Sequence, residues 1–371
     1  MNISKSIRLA YCENFKDKII ENENYNDFIS SFSKDRIEKI YKIASIMDDN
    51  NKMLSHVMSL SIHPKKVIVD DFIKNKKDIY KIIVSNASID ILNQLNIFIN
   101  RNNGKVITLS LDNLNYSINF IKFINDFFIA KVKLIKINNI LEIYSPEEIT
   151  NILKEILKDK NIKEKSKKNS EYYNKINSLV ATYGVIRVKD LTKIYNKVFE
   201  KTTEKNIIDS ILINIPIRDN ISIVKLDDDY LIYNLEFEDE DNAITFYYSL
   251  SKKIDYKIFT KKEYEEIEDG IYHTNFIEYD NLIDFLVTVL NMEDDELDYF
   301  DDMFILDYMY SYQTDKEVAK KKLNSKLNTS YGYLEFSDKA YICSSILKIA
   351  KNYPNYNYKG YSYNEINNKA N

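Results

Sequence analysis

Glycine and proline are scarce: five of one and four of the other stand among 371 residues. So few turn formers argue against a turn-rich all-β fold. They also exclude sites built on glycine loops, and neither Gly-x-x-x-x-Gly-Lys nor Gly-x-Gly-x-x-Gly occurs. A Gly-x-Ser-x-Gly elbow and a His-Glu-x-x-His pair are absent too. Tryptophan is missing, and the two cysteines, Cys12 and Cys343, lie far apart. A disulfide framework is therefore not expected; a reducing, cytoplasmic compartment is. Cys343 follows the apolar stretch Ala340-Tyr341-Ile342 and is expected to be a buried, inert thiol. The histidines His56, His63 and His273 share no ligand spacing with one another or with the cysteines, so neither a metal site nor a cofactor is expected. The opening MNISKSIRLAYCENF has no apolar h-region, and no run approaches about 18 uninterrupted apolar residues. The longest apolar patch, Phe120 to Ala130, is broken by Lys122, Asn125 and Asp126. Neither a secretory leader nor a membrane contact is expected.

What is present is a core and an uneven charge. Apolar residues make up 44% of the chain, enough for a sizeable interior. Asn, Lys, Ile and Tyr are heavily used, as AT-rich coding favours, so their counts carry little functional weight. The net charge of −5 hides a division. Residues 1–200 sum to +9, residues 201–300 to −16 and residues 301–371 to +2. The plainest account is that the basic half docks on the acidic half.

Hydrophobic periodicity predicts a mainly α fold. Residues 1–84 form a helical N-terminal region, with a helix over 32–47 capped by Ser33 and a break at Pro64 beside His63. Residues 85–160 read as a winged-helix-like unit. Helices over 88–100 and 111–128 (the second striped by Leu114, Ile118 and Ile121) precede a hairpin of 131–137 and 140–144. Asn102-Asn103-Gly104 closes the first of these helices, and a bulge is expected where the alternation slips at Leu134-Ile135. Ser145-Pro146-Glu147-Glu148 starts the next helix. Residues 158–170, KDKNIKEKSKKNS, read as a charged linker and the best domain boundary. Residues 171–235 give a second winged-helix-like unit: three apolar stripes, stopped in turn by Gly184 and Pro216, then a hairpin of 221–225 and 230–233 around Asp227-Asp228-Asp229. Residues 236–353 form an acidic helical domain with capping boxes at Thr260-Glu263 and Thr314-Glu317. Residues 354–371 read as a polar Tyr- and Asn-rich tail, only partly ordered.

The segment SLVATYGVIRVKDLTKIYNKV (178–198), followed by ISIVKLDDDYLIY (221–233), resembles a winged-helix segment of uncharacterised proteins of low-GC bacteria. The tail KNYPNYNYKGYSYNEI (351–366) is similar to a C-terminal signature in such proteins: a Gly, an aromatic, Ser or Thr, then a Glu-hydrophobic pair. Some relatives carry a Cys-rich, zinc-binding SEC-C tail after it. Those cysteines are not in this sequence, so the resemblance implies architecture and no zinc site.

Three groups of side chains invite chemical readings. Lys131, Lys133 and Lys136 on the first wing, with Lys163, Lys165, Lys167 and Lys168 of the linker, could follow a phosphate backbone. Against base reading, the helix over 203–214 offers only Glu204, Lys205, Asn206 and Asp209, and the second wing carries three aspartates. Asp294, Asp298 and Asp302 fall at i, i+4 and i+8, flanked by Asp295 and Asp301, and such a row could hold Mg²⁺. The same acids also suit the positive end of a helix dipole. Tyr353, Tyr356, Tyr358, Tyr361 and Tyr363 could stack unpaired bases, or pack on the preceding helix.

The expectation is a non-enzymatic intracellular interaction or regulatory protein with a protein partner, and with weak non-specific nucleic-acid contact through the basic half. Two alternatives stand beside it: an acidic decoy that binds a basic protein, and an enzyme with an unfamiliar acidic metal site around residues 294–302. The sequence leaves the oligomeric state open.

Overall fold

The computed structural model describes residues 12–48, 63–101, 104–111, 116–215, 221–237 and 239–370. His56, Asn102, Asn103, Leu114 and Pro216, which carried expectations above, lie outside these residues. The chain divides into two compact units, residues 1–174 with 203–220 and residues 175–202 with 221–371. The fold is mainly α with two small antiparallel sheets. Among the described residues no helix is long and apolar enough to cross a membrane.

The first unit opens with α1 (Tyr25–Ser30) and α2 (Lys34–Met47). The Ser33 side chain accepts from Arg36 N at the start of α2, the cap that the sequence marks. After Pro64 come α3 (Lys65–Lys74), α4 (Lys76–Asn86) and α5 (Ile89–Arg101), whose Ile91, Leu95, Phe98 and Ile99 are buried as one stripe. Strand β1 (Ile107–Ser110) follows, then α6 (Ile118–Asp126), β2 (Lys131–Ile135), β3 (Ile140–Tyr144) and α7 (Glu147–Ile156).

The expected hairpin is there, but β1 closes it into a three-stranded sheet of order β1-β3-β2. Four residues, Ile-Thr-Leu-Ser, are too short to announce a strand. The bulge expected at Leu134-Ile135 is absent: Leu134 pairs with Leu141 and Ile135 with Ile140 in unbroken register. The slip in alternation is absorbed instead by a 3₁₀ turn at Lys136–Asn138 and by Asn139, at φ 51°. Helix α6 starts at Ile118 rather than Leu111 because Ser117 caps it, accepting from Phe120 N.

The segment read as a linker is mostly helix. α8 runs unbroken from Lys160 to Tyr183. Its buried face here carries one apolar side chain, Ile162, beside the polar Ser166 and Asn169, which hid it from a hydrophobic pattern. Ser166 Oγ donates to Ala87 O at 2.5 Å, and Asn169 Nδ2 donates to Asn86 Oδ1 at 2.9 Å. Up to Asn174 this helix belongs to the first unit, and from Lys175 to the second.

Gly184, at φ +70°, ends α8, and β4 (Val185–Arg187), α9 (Val188–Val198), α10 (Glu204–Leu212), β5 (Ile221–Leu226) and β6 (Asp229–Asn234) follow. The second sheet repeats the order of the first, β4-β6-β5, again with a short strand that the sequence did not mark. Val185, Leu226, Leu231 and Tyr233 pack with Ala243 and Leu250 of the next segment. α10 is grouped with the first unit, where it packs on α2.

The acidic segment is helical as expected: α11 (Glu240–Ser249), α12 (Lys261–Glu268), α13 (Ile277–Thr288), α14 (Asp294–Phe300), α15 (Asp307–Thr314), α16 (Lys316–Ser330) and α17 (Phe336–Asn352). Thr260 and Glu263 form the expected capping box. At α16 the cap is Asp315, one residue beyond Thr314, with its carboxylate accepting from Glu317 N and Val318 N. A π-helical stretch, Asp301–Leu306, joins α14 to α15.

The tail is folded, not partly ordered. Tyr353 and Tyr356 are buried, and α18 (Tyr363–Ala370) ends the described chain. Two glycines admit the tail. A Cβ on Gly184 would stand 2.6 Å from the Tyr356 ring, and one on Gly360 would stand 2.8 Å from the Tyr183 ring. Ser362 and Glu365 exchange hydrogen bonds at the start of α18, where they cap the helix.

Candidate functional site

The lysines of β2 and of the turn after it are engaged within the first unit. Lys131 is 2% exposed, and its ammonium lies 2.5 Å from Glu23 Oε2 and 5.1 Å from the Phe28 ring centre. A cation so enclosed cannot reach a phosphate. Lys136 pairs with Glu13 at 2.8 Å, and Lys133 stands 3.9 Å from Glu142. The outer edge of β2 is covered too, since Leu134 N donates to Phe15 O at 2.9 Å and Lys16 bridges to Lys133. At the β5–β6 turn, Asp227 and Asp228 each lie 3.1 Å from a cation, Arg187 and Lys189 respectively. In α10, Lys205 donates to Met47 O at 3.3 Å and to Asp209 at 2.7 Å.

The lysines of α8 differ. Lys163, Lys165, Lys167 and Lys168 are exposed, and among the described residues none of them makes an ion pair. Lys168 lies over the Tyr172 ring at 5.6 Å. Lys163 joins Lys158, Lys160, Asn93 and Asn96 around a groove of about 300 Å³.

The acidic row does not converge. Asp294, Asp295, Asp298 and Asp302 are exposed. Asp301 turns inward, its Oδ1 standing 2.8 Å from Nε2 of the fully buried His273. Burial, with Asp301, Asp298 and Asp280 nearby, pushes the Tyr279 phenol up to about 12. Among the described residues, no three His, Cys, Asp or Glu side chains gather so as to hold a metal ion. Exposed Tyr299 and Met303 lie in the same stretch of chain. Cys343 is half-buried, with its thiol donating to Asn324 Oδ1 at 3.3 Å, and burial raises its pKa.

One site escaped the sequence. In the second unit a cleft of about 720 Å³ opens between the end of α11, the α15–α16 junction and the tail. Its walls include Ser251, Tyr312, Gln313, Asp315, Lys316 and Tyr358. Gln313 is 3% exposed, yet neither its Nε2 nor its Oε1 finds a partner among the described residues. Its backbone carbonyl, by contrast, accepts from Asn357 Nδ2 at 3.0 Å. A lone Gln in a helix gives no signal in a sequence, and the cleft exists only because the tail folds back.

Comparison of the chain with protein-family models, with curated proteins and with solved structures gave no match.

Proposed function

We propose that the protein is a non-enzymatic interaction or regulatory protein whose two helix-and-sheet units are winged-helix-like scaffolds. The observation that carries this reading is where the charges stand. The cations that would follow a backbone from the wings are paired or buried, and α10, the helix that would enter a groove, packs on α2. The shared strand order, a short first strand pairing with the last, supports the winged-helix likeness of both units. Nucleic-acid contact is then non-specific and falls to the α8 lysines.

The partner is a protein of basic character, met by the carboxylates of Asp294, Asp295, Asp298 and Asp302 beside the exposed Tyr299 ring. The test is titration of a fluorescent lysine-rich peptide into the full chain at low and moderate salt. Saturable binding should weaken severalfold on Asp294→Asn with Asp298→Asn, with the folded signal intact. No binding, or binding indifferent to those carboxylates, removes the acidic partner surface.

A further inference from the structure

Large rings left in water are informative when they cluster. In the second unit a run of rings leads from one exposed tyrosine to another. Tyr299, near the end of α14, is 52% exposed, and Tyr333, in the turn between α16 and α17, is 77% exposed. The rings between them are in contact one after the next. Centre to centre, Tyr299 lies 6.5 Å from Phe304, Phe304 lies 5.4 Å from Tyr331, and Tyr331 lies 6.2 Å from Tyr333. Phe304 is buried and stacks on Phe300 at 4.8 Å. The inner rings thus hold the turn against the π-helical stretch, while the two outer tyrosines stay open to solvent.

Carboxylates stand among these rings. Asp295 and Glu296 precede Tyr299 by four and three residues, the spacing of neighbours on a helix surface, and both are exposed. Burial raises the Tyr331 phenol, and Tyr333, Glu296 and Tyr299 beside it raise it further. Lys326 and Lys339 reach the same region, but both are engaged. Lys326 pairs with Asp307 at 2.9 Å and donates to Met303 O at 3.0 Å, and Lys339 donates to Gly332 O at 3.3 Å. Asp295 and Glu296 make no ion pair among the described residues.

A ring face beside a carboxylate suits a cation, and of the basic side chains it suits arginine best. The guanidinium is planar and weakly hydrated, so it can lie flat on a tyrosine while its edge meets a carboxylate. A lysine ammonium is a strongly hydrated point charge and gains less from either. Phosphate groups would be repelled.

We propose that this face binds arginine side chains of a partner protein, with guanidinium planes on Tyr299 and Tyr333 and their edges toward Asp295 and Glu296. The inference rests on the acidic partner surface proposed above and narrows its partner from basic to arginine-bearing.

The test compares two labelled peptides of equal length and charge, one with arginine as its only cation and one with lysine. Each is titrated into the full chain by fluorescence anisotropy at about 150 mM salt. The arginine peptide should bind about tenfold more tightly, as two ring contacts would give. Tyr299→Leu with Tyr333→Leu should cut that advantage to about twofold or less and hardly change lysine-peptide affinity. Tyr333→Leu alone, at the more exposed position, should remove about threefold of it and keep the melting temperature of the parent. Equal affinity for the two peptides, with binding still dependent on Asp294 and Asp298, overturns the arginine inference and leaves the basic partner standing. No binding of either peptide removes both. An arginine preference unchanged in the tyrosine variants places the contact elsewhere and overturns the assignment. So does self-association of the parent that the tyrosine pair abolishes, which would give the face to a second copy.

Discussion

Lys131 shows how one side chain changes a reading. On a wing its alternation places it with Lys133 as a phosphate contact, but the fold pairs it with Glu23, which is 108 residues away in the chain. The pair is almost fully enclosed, with side chains 3% and 5% exposed. Removing one partner leaves the other charge buried alone, whereas replacing both with apolar side chains removes the desolvation cost. Lys131→Ala is therefore predicted to lower stability by about 3–5 kcal/mol in urea titration. The double variant Glu23→Leu with Lys131→Met should lie within about 1–2 kcal/mol of the parent, on either side. Equal losses in single and double variants would show that the pair is not the cause. No local pattern could have revealed this, because burial is decided by residues distant in sequence. Asp315 is a milder case: Thr-x-x-Glu is a sound capping box on paper, but an Asp one residue later offers a stronger acceptor to Glu317 N and Val318 N.

Among elements, the legible ones were the amphipathic helices. The stripes of α5, α9 and the acidic segment are regular enough to place each helix within a few residues. Three kinds were hidden. β1 and β4 are too short for a period of two to declare itself. The first half of α8 buries Ile162 with the polar Ser166 and Asn169, too thin an apolar stripe to declare a helix. The tail is polar in composition yet docks through Tyr353 and Tyr356.

That docking carries a pH dependence. Burial alone would raise the Glu365 carboxyl, but hydrogen bonds from Lys257 Nζ at 2.7 Å and from Ser362 N at 2.8 Å outweigh it and hold its pKa below the usual carboxylate range. A carboxylate depressed in the folded state adds stability above its unfolded pKa of about 4.3 and loses it as pH falls through the folded value. Protection of α18 amides against hydrogen exchange, corrected for intrinsic rates, is thus predicted to fall below about pH 4. Glu365→Gln should lack that step. An identical step in the variant would assign the pH dependence to another group.

At the scale of the molecule, charge distribution was visible in the sequence but its use was not. The division into a basic and an acidic half reads directly from the residue order. Which lysines are free depends on where Glu13, Glu23 and Glu142 come to lie. Those contacts separate a basic hairpin in sequence from a paired one in the fold, whereas Lys163, Lys165, Lys167 and Lys168 of α8 make no ion pair among the described residues.

The most direct measurement is the salt dependence of binding to a labelled random duplex, begun at about 50 mM salt, for the full chain and two variant pairs. Lys133→Gln with Lys136→Gln should bind as the parent does. Lys163→Gln with Lys167→Gln should weaken the low-salt contact and flatten the slope of log K against log salt by about two. Loss of binding in the wing pair, with the α8 pair unchanged, would contradict the assignment of the wings as scaffolds and return them to nucleic acid.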